Sequence, residues 1–238
     1  IKKQGSKWVQ DNDTSANFRV DGNSKIPFSG SRKVAGTSFA IGSMGNCGGG
    51  TTPWGTILTC EEIHEDFYGS VERGKTARIP SSTNYEWYKF YDHPPEHYGW
   101  VVEVNPSTRE LKKHVAMGRF YHEGATVRLA KGDRPVVYMG DDDVGHCVFK
   151  FVGDRANSLD SGTLYAADTV KGVWIPLNKK NKKLSSFKND LEILTFAHEA
   201  AIVAGGTKQD RPEDIEINPL NGDVFISLTN NKPIKNYY

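Results

Sequence analysis

Short apolar stretches separated by turn residues dominate this 238-residue chain. Trp100–Val104 (WVVEV) predicts a strand, Asn105-Pro106-Ser107-Thr108 a turn, and Leu111–Met117 the return. Ala125–Leu129 and Pro135–Met139 flank Lys131-Gly132-Asp133-Arg134, which reads as a hairpin. Val148–Val152, Thr163–Ala166 and Val173–Pro176 follow as further strands, and Ile215–Ile217 pairs with Val224–Leu228 across a turn containing Asn221-Gly222. This rhythm of short strands and turn chemistry predicts an all-β sandwich or propeller. One helix stands out. Leu191, Leu194, Ala197, Ala201 and Val203 fall on one face between Asp190 and Ala204, with Asn189 to cap the start and Gly205-Gly206 to end it. Residues 61–98, crowded with aromatics, prolines and charges, read as a long insertion over the scaffold.

Composition supports many turns rather than long helices: 24 glycines and 11 prolines accompany a 37% apolar fraction. Thirty Lys and Arg against 29 Asp and Glu leave a formal charge of +1, which gives no reason to expect nucleic acid or an anionic membrane as partner. The Lys179–Lys183 run (KKNKK) reads as a solvated loop. No apolar run approaches the ~18 residues that a membrane span needs, and no export leader is readable. Three cysteines cannot close a disulfide set. A Cys47–Cys60 pair, a metal ligand and a free thiol all stay open.

Familiar motifs fail one by one. GNCGGGTT lacks the Gly-Lys-Ser/Thr of a phosphate-binding loop, and none of His64-Glu65, His122-Glu123 or His198-Glu199 has the second histidine of a zinc protease. What remains is a set of acids at strand ends: Glu61 and Glu62 beside Cys60, Glu123, Asp141-Asp142-Asp143, and Glu213-Asp214 behind Arg211. Strand ends of a β scaffold can aim side chains into a shared channel, where carboxylates suit hard cations such as calcium and a thiolate suits a softer metal. Singly, each acid is most simply a turn cap, Cys60 a buried small hydrophobe, Cys47 a structural residue, and His122, His146 and His198 packed histidines.

The segments GNCGGGTTPWGTILTCEE, YGWVVEVNP, GRFYHEGA, VVYMGDD with VFKFV after it, GTLYAAD and GGTKQDRPEDIEINPLNGDVFISLTNN occur here in one order, from Gly45 to Asn231. In wording and order they resemble the PhoX-type alkaline phosphatases. The resemblance implies one β-propeller-like domain over residues 1–238, incomplete, with one or two helices in insertions and a calcium- and iron-containing cluster at its centre. It implies that Cys60 is the thiolate ligand of iron and Glu61 a bridging carboxylate. Glu123, Glu213 and the Asp141-Asp142 pair are then further metal ligands, and Arg211 holds the substrate phosphate. The expected reaction is metal-dependent hydrolysis of phosphate monoesters, and the expected location is periplasmic or secreted. The match covers the front and middle of the family's propeller, so the closing blades are expected on a missing segment or a second chain. Two rival readings are a calcium-dependent propeller lactonase or esterase, and a non-catalytic propeller fragment.

Overall fold

The computed structural model describes residues 2–12, 17–81 and 85–229; the last two residues of the SLTNN segment lie outside them. The first main sheet is a four-stranded antiparallel meander. From its inner edge outwards it runs Asn46–Thr51, Ile57–Glu61, Val101–Val104 and Leu111–Lys113. The predicted return strand stops at Lys113, and Val115–Met117 turns instead into a buried 3-10 segment. Residues 62–100 leave between the second and third strands as the expected insertion. They carry the short helix Glu65–Tyr68 and a small ribbon of Ser70–Val71 with Arg78–Ile79.

The second main sheet has five antiparallel strands in sequence order: Thr126–Ala130, Arg134–Gly140, Val148–Gly153, Gly162–Asp168 and Val173–Pro176. The hairpin predicted at Lys131–Arg134 closes the first pair, with Gly132 and Asp133 both at positive φ. A third unit begins with Pro212–Ile217 paired to Val224–Leu228. The leading strands of the three units, Asn46–Thr51, Thr126–Ala130 and Pro212–Ile217, lie against one another in that order. Consecutive antiparallel meanders with their first strands gathered together are the blade arrangement of a β-propeller.

Side chains of the two main sheets fill the core between them. Leu58, Cys60 and Val101 come from the first, and Val137, Met139, Phe149, Phe151 and Leu164 from the second. Phe120 stacks on Phe149 with ring centroids 4.1 Å apart. The predicted helix closes one side of this core but is broken in two, Asp190–Thr195 and Ala197–Ala204. Its ends follow the sequence: Asn189 Oδ1 accepts from the Glu192 N–H at 2.9 Å, and Gly205 takes the left-handed position at φ 98°. The break falls at Phe196, at ψ 47°, directly after Thr195, whose hydroxyl donates to the Leu191 carbonyl at 2.8 Å. Such back-bonding competes with the helical ladder and bends it.

Candidate metal centre and anion site

Irregularities at one end of the three leading strands aim polar side chains at one place. The pairing of Asn46–Thr51 with Ile57–Glu61 slips between Asn46 and Gly49. That bulge turns Cys47 out of the sheet, since the extra residue of a bulge is freed from the ladder and re-aimed. Glu62 stands one residue beyond its strand, its N–H on the Gly45 carbonyl at 3.1 Å. Glu123 precedes Thr126–Ala130, and Asp142 follows Arg134–Gly140 with its N–H on the Tyr121 carbonyl at 3.0 Å. Arg211 sits at φ 55° directly before Pro212, and the strand after it is again irregular between Pro212 and Ile215. The left-handed backbone at Arg211 is a conformation non-glycine residues rarely hold.

The Cys47 sulfur and carboxylate oxygens of Glu62 and Glu123 lie within 4.8 Å of one another, as metal ligands do. In this arrangement the thiol donates to Glu123 Oε1 at 3.2 Å. Asp142 neighbours Glu62 closely enough to raise its carboxyl. Arg211 Nη2 reaches Asp142 Oδ2 at 2.7 Å and Glu213 Oε1 at 3.0 Å, and Thr229 hydrogen-bonds Glu213 from the other side. The acids crowd one another. Burial together with Asp142 and Glu123 pushes Glu62 up to about 8, and burial with Glu123 and Glu62 pushes the Cys47 thiol up to about 12. Asp142 Oδ1 is buried without a hydrogen-bond partner. Three acids, the exposed Cys47 thiol and a buried unsatisfied oxygen form a donor set that fits bound cations. The site opens beside Arg211 into a cavity of about 500 Å³ lined also by Glu62, Tyr121 and Asp142.

Three expected ligands, Cys60, Glu61 and Asp141, are not among the atoms that meet within 4.8 Å there, although Cys60 borders Cys47 and Glu123. Cys60 shares the apolar face of its strand with Leu58 and is fully buried. Burial, then the neighbouring Cys47 and Glu123, push its thiol far up. Glu61 is also fully buried, and its oxygens are occupied. It pairs with Lys113 Nζ at 2.7 Å and accepts the N–H groups of Met44, Gly99 and Trp100 at 3.0–3.1 Å. The direct side-by-side delivery expected of Cys60 and Glu61 is therefore not what the strand provides; Cys47 and Glu62 face the acids instead. Cys47, Cys60 and Cys147 are all free, so the Cys47–Cys60 disulfide does not form. Glu123, Asp142, Glu213 and Arg211 do converge. Asp141 points away into a second group with His146 and His198. Period-two alternation was the available signal: Leu58 and Cys60 are two apart and must share a face. Nothing local marks Cys47, because the bulge that aims it comes from pairing.

Three leading strands that bring a thiol, carboxylates and an arginine to one end define a propeller-like protein with a candidate metal centre. Residues 1–237 match the family model described as alkaline phosphatase PhoX, and the chain belongs to that family. Among solved structures, the chain is similar to Pseudomonas fluorescens PhoX in complex with vanadate, a transition state analogue. The identity is 32% and the TM-score 0.81, over 97% of this chain and 48% of that one. The chain thus spans about half the length of that relative. No curated protein matches it. Among the described residues no helix is long and apolar enough to cross a membrane.

Proposed function

We propose that this chain supplies the metal-binding and phosphate-orienting face of a phosphomonoesterase. The observation that carries this reading is the meeting of Cys47, Glu62 and Glu123 within 4.8 Å, beside an arginine held by Asp142 and Glu213. Glu62, Glu123 and Asp142 would hold calcium through carboxylate oxygens, and Cys47 would hold iron through its thiolate. Bound cations supply Lewis acidity that draws charge from phosphorus and from the leaving oxygen.

The chain's own residues orient and neutralise. Arg211 presents a planar donor fork to non-bridging phosphate oxygens, and Asp142 and Glu213 fix its direction before substrate arrives. Metal loading requires the Cys47 thiol and the raised Glu62 carboxyl to give up protons, so loading releases acid. The cavity beside Arg211, about 500 Å³, is large enough for a phosphate and a modest organic group. Recognition centred on phosphate favours phosphate esters of varied leaving group. A thiol in the donor set weighs against the calcium-only lactonase reading, since thiolate is a poor calcium ligand. In this proposal residues 1–238 are one domain's front portion, further residues or a partner chain add the closing blades, and the enzyme works in the periplasm or outside the cell.

Elemental analysis of the purified protein, paired with hydrolysis of a chromogenic phosphate monoester, tests the reading. Iron and calcium are expected, with turnover abolished by chelation, and Cys47→Ser should lose iron while remaining folded. A Cys47→Ser protein with its iron and turnover intact would overturn the assignment.

A further inference from the structure

Asp141, His146 and His198 lie outside the cluster described above. They arrive from three separate elements: Asp141 just past the strand Arg134–Gly140, His146 from the short strand Val144–His146, and His198 from the helix Ala197–Ala204. Asp141 Oδ2 is 3.0 Å from His146 Nδ1 and 3.1 Å from His198 Nδ1. The two imidazoles stack with centroids 3.6 Å apart. The His146 contact lacks hydrogen-bond geometry, so that buried nitrogen has no hydrogen-bond partner.

These separations have a simple meaning in coordination chemistry. Around a zinc-class ion with bonds of about 2.0–2.1 Å, adjacent ligand atoms of a tetrahedron or octahedron stand about 2.9–3.4 Å apart. Both nitrogen–oxygen distances fall in that range, and all three donor atoms lie within 4.8 Å of one another. The surroundings are acidic. Glu65 and Asp143 line the adjoining cavity of about 300 Å³, together with Glu199, which is paired with Arg73 at 2.8 Å. Arg119, the cation on that lining, is spent on the Tyr98 and Pro95 carbonyls.

We propose that Asp141, His146 and His198 form a second metal site, selective for a borderline divalent cation of the zinc class, with open positions facing this cavity. Two imidazoles and one carboxylate favour such an ion over calcium, which prefers an all-oxygen shell. The site is distinct from the thiolate cluster and does not rest on the phosphatase reading. Its occupation would tie the helix to the turn that carries Asp142.

The test is calorimetric titration of the chelator-stripped chain with zinc chloride alone. A Cys47→Ser/Glu62→Gln protein should still take up one zinc equivalent. His146→Ala and His198→Ala should each lose that equivalent, and the zinc-free thermal unfolding of His198→Ala should stay close to that of the parent. His198 is a safe position for this control, since its side chain is 39% exposed. Cobalt in the Cys47→Ser/Glu62→Gln background should give visible d–d absorption without thiolate charge transfer. Zinc uptake indifferent to both histidine substitutions overturns the proposal, as does uptake lost entirely in the Cys47→Ser/Glu62→Gln protein. The second of these would place the ion at the thiolate cluster and leave the phosphatase reading standing.

Discussion

Glu61 and Glu62 are neighbours with opposite fates, and the difference can be measured. Burial pushes the Lys113 ammonium down and Glu61 counters it, so each needs the other. Removing one partner of a buried pair costs about 3–5 kcal/mol, because the remaining charge is stranded. Glu61→Ala should therefore destabilise the fold by that order in chemical denaturation. Lys113→Ala should do the same, and the double substitution should cost far less than the sum. Glu62→Gln removes a carboxyl that burial and neighbouring acids hold up to about 8, so it should raise the stability of metal-free protein at pH 7 and weaken cation binding. For Arg211, loss of an oriented donor to the transition state predicts a fall of roughly a hundred- to a thousandfold in kcat for Arg211→Ala. These contrasts also mark what was legible in the residues. Of the acids at strand ends, Glu123, Asp142 and Glu213 gather beside Arg211. Cys47 faces the acids through the bulge in its own strand, and Glu62 faces them in place of Glu61 by one residue of register. In a strand that slip exchanges the two faces. His146 and His198 gave no local sign, because strand and helix bring them together from 52 positions apart in sequence only on folding.

At the scale of the element, the Gly48–Gly50 run explains how adjacent blades approach. A Cβ on Gly48 would lie 2.3 Å from the Glu123 carbonyl, and one on Gly50 would lie 2.1 Å from the Ala125 carbonyl. The two positions share a face by strand alternation. Their missing side chains let Ala125 N–H reach the Gly49 carbonyl at 3.2 Å and set Cys47 beside Glu123. Gly48→Ala should force Glu123 aside. An overpacking cost of about 1–3 kcal/mol is expected in denaturation, together with weaker metal retention. Gly55→Ala is the matched control for space: a Cβ there meets nothing within 4 Å, though its φ of 88° carries its own backbone strain. If Gly48→Ala bound metal as the parent does, the strand contact would not be setting the donor geometry. Most strands were readable from the alternation of apolar residues and turn signals, as the hairpin at Lys131–Arg134 shows. The helix from Asp190 to Ala204 was readable at both ends but not at its break, because Thr195 diverts a backbone acceptor through a hydroxyl rather than through any change in apolar period.

For the whole molecule, buried histidines set the acid limit of stability. His122 lies under Phe120, rings 3.6 Å apart, with Nε2 on the Gly118 carbonyl at 2.9 Å. His97 packs edge-on to Phe28 and meets the Thr37 hydroxyl at 3.0 Å. Burial holds both at about 4, against about 6.5 in an unfolded chain. Between those values the unfolded chain binds more protons than the folded one, so stability rises with pH there. The contribution of both residues is complete above pH 6.5 and is lost as pH falls towards 4. Glu103 extends the same slope downwards. Burial opposes its ionisation, but bonds from His114, Thr56 and Trp54 more than offset that and hold it at about 2. Its share is lost from about pH 4.5, the ordinary glutamate region, to about 2. His146 runs the other way: burial lowers it, Asp141 more than compensates, and its share is lost as pH rises through its elevated value. Glu62, raised to about 8, opposes this slope between pH 4.5 and 8. The slope is therefore read with that carboxyl removed, where the lowered His64, His97, His122, Glu103 and Asp141 stand against the raised His146. In metal-free Glu62→Gln protein the urea midpoint should hold between pH 7 and 6.5, fall steadily to pH 4 and keep falling below it. His122→Gln should flatten the upper part of that fall while lowering the midpoint at pH 7. A profile flat from pH 6.5 to 4 would mean that His97 and His122 are not buried in neutral form, and the core beneath the first sheet would need a different packing.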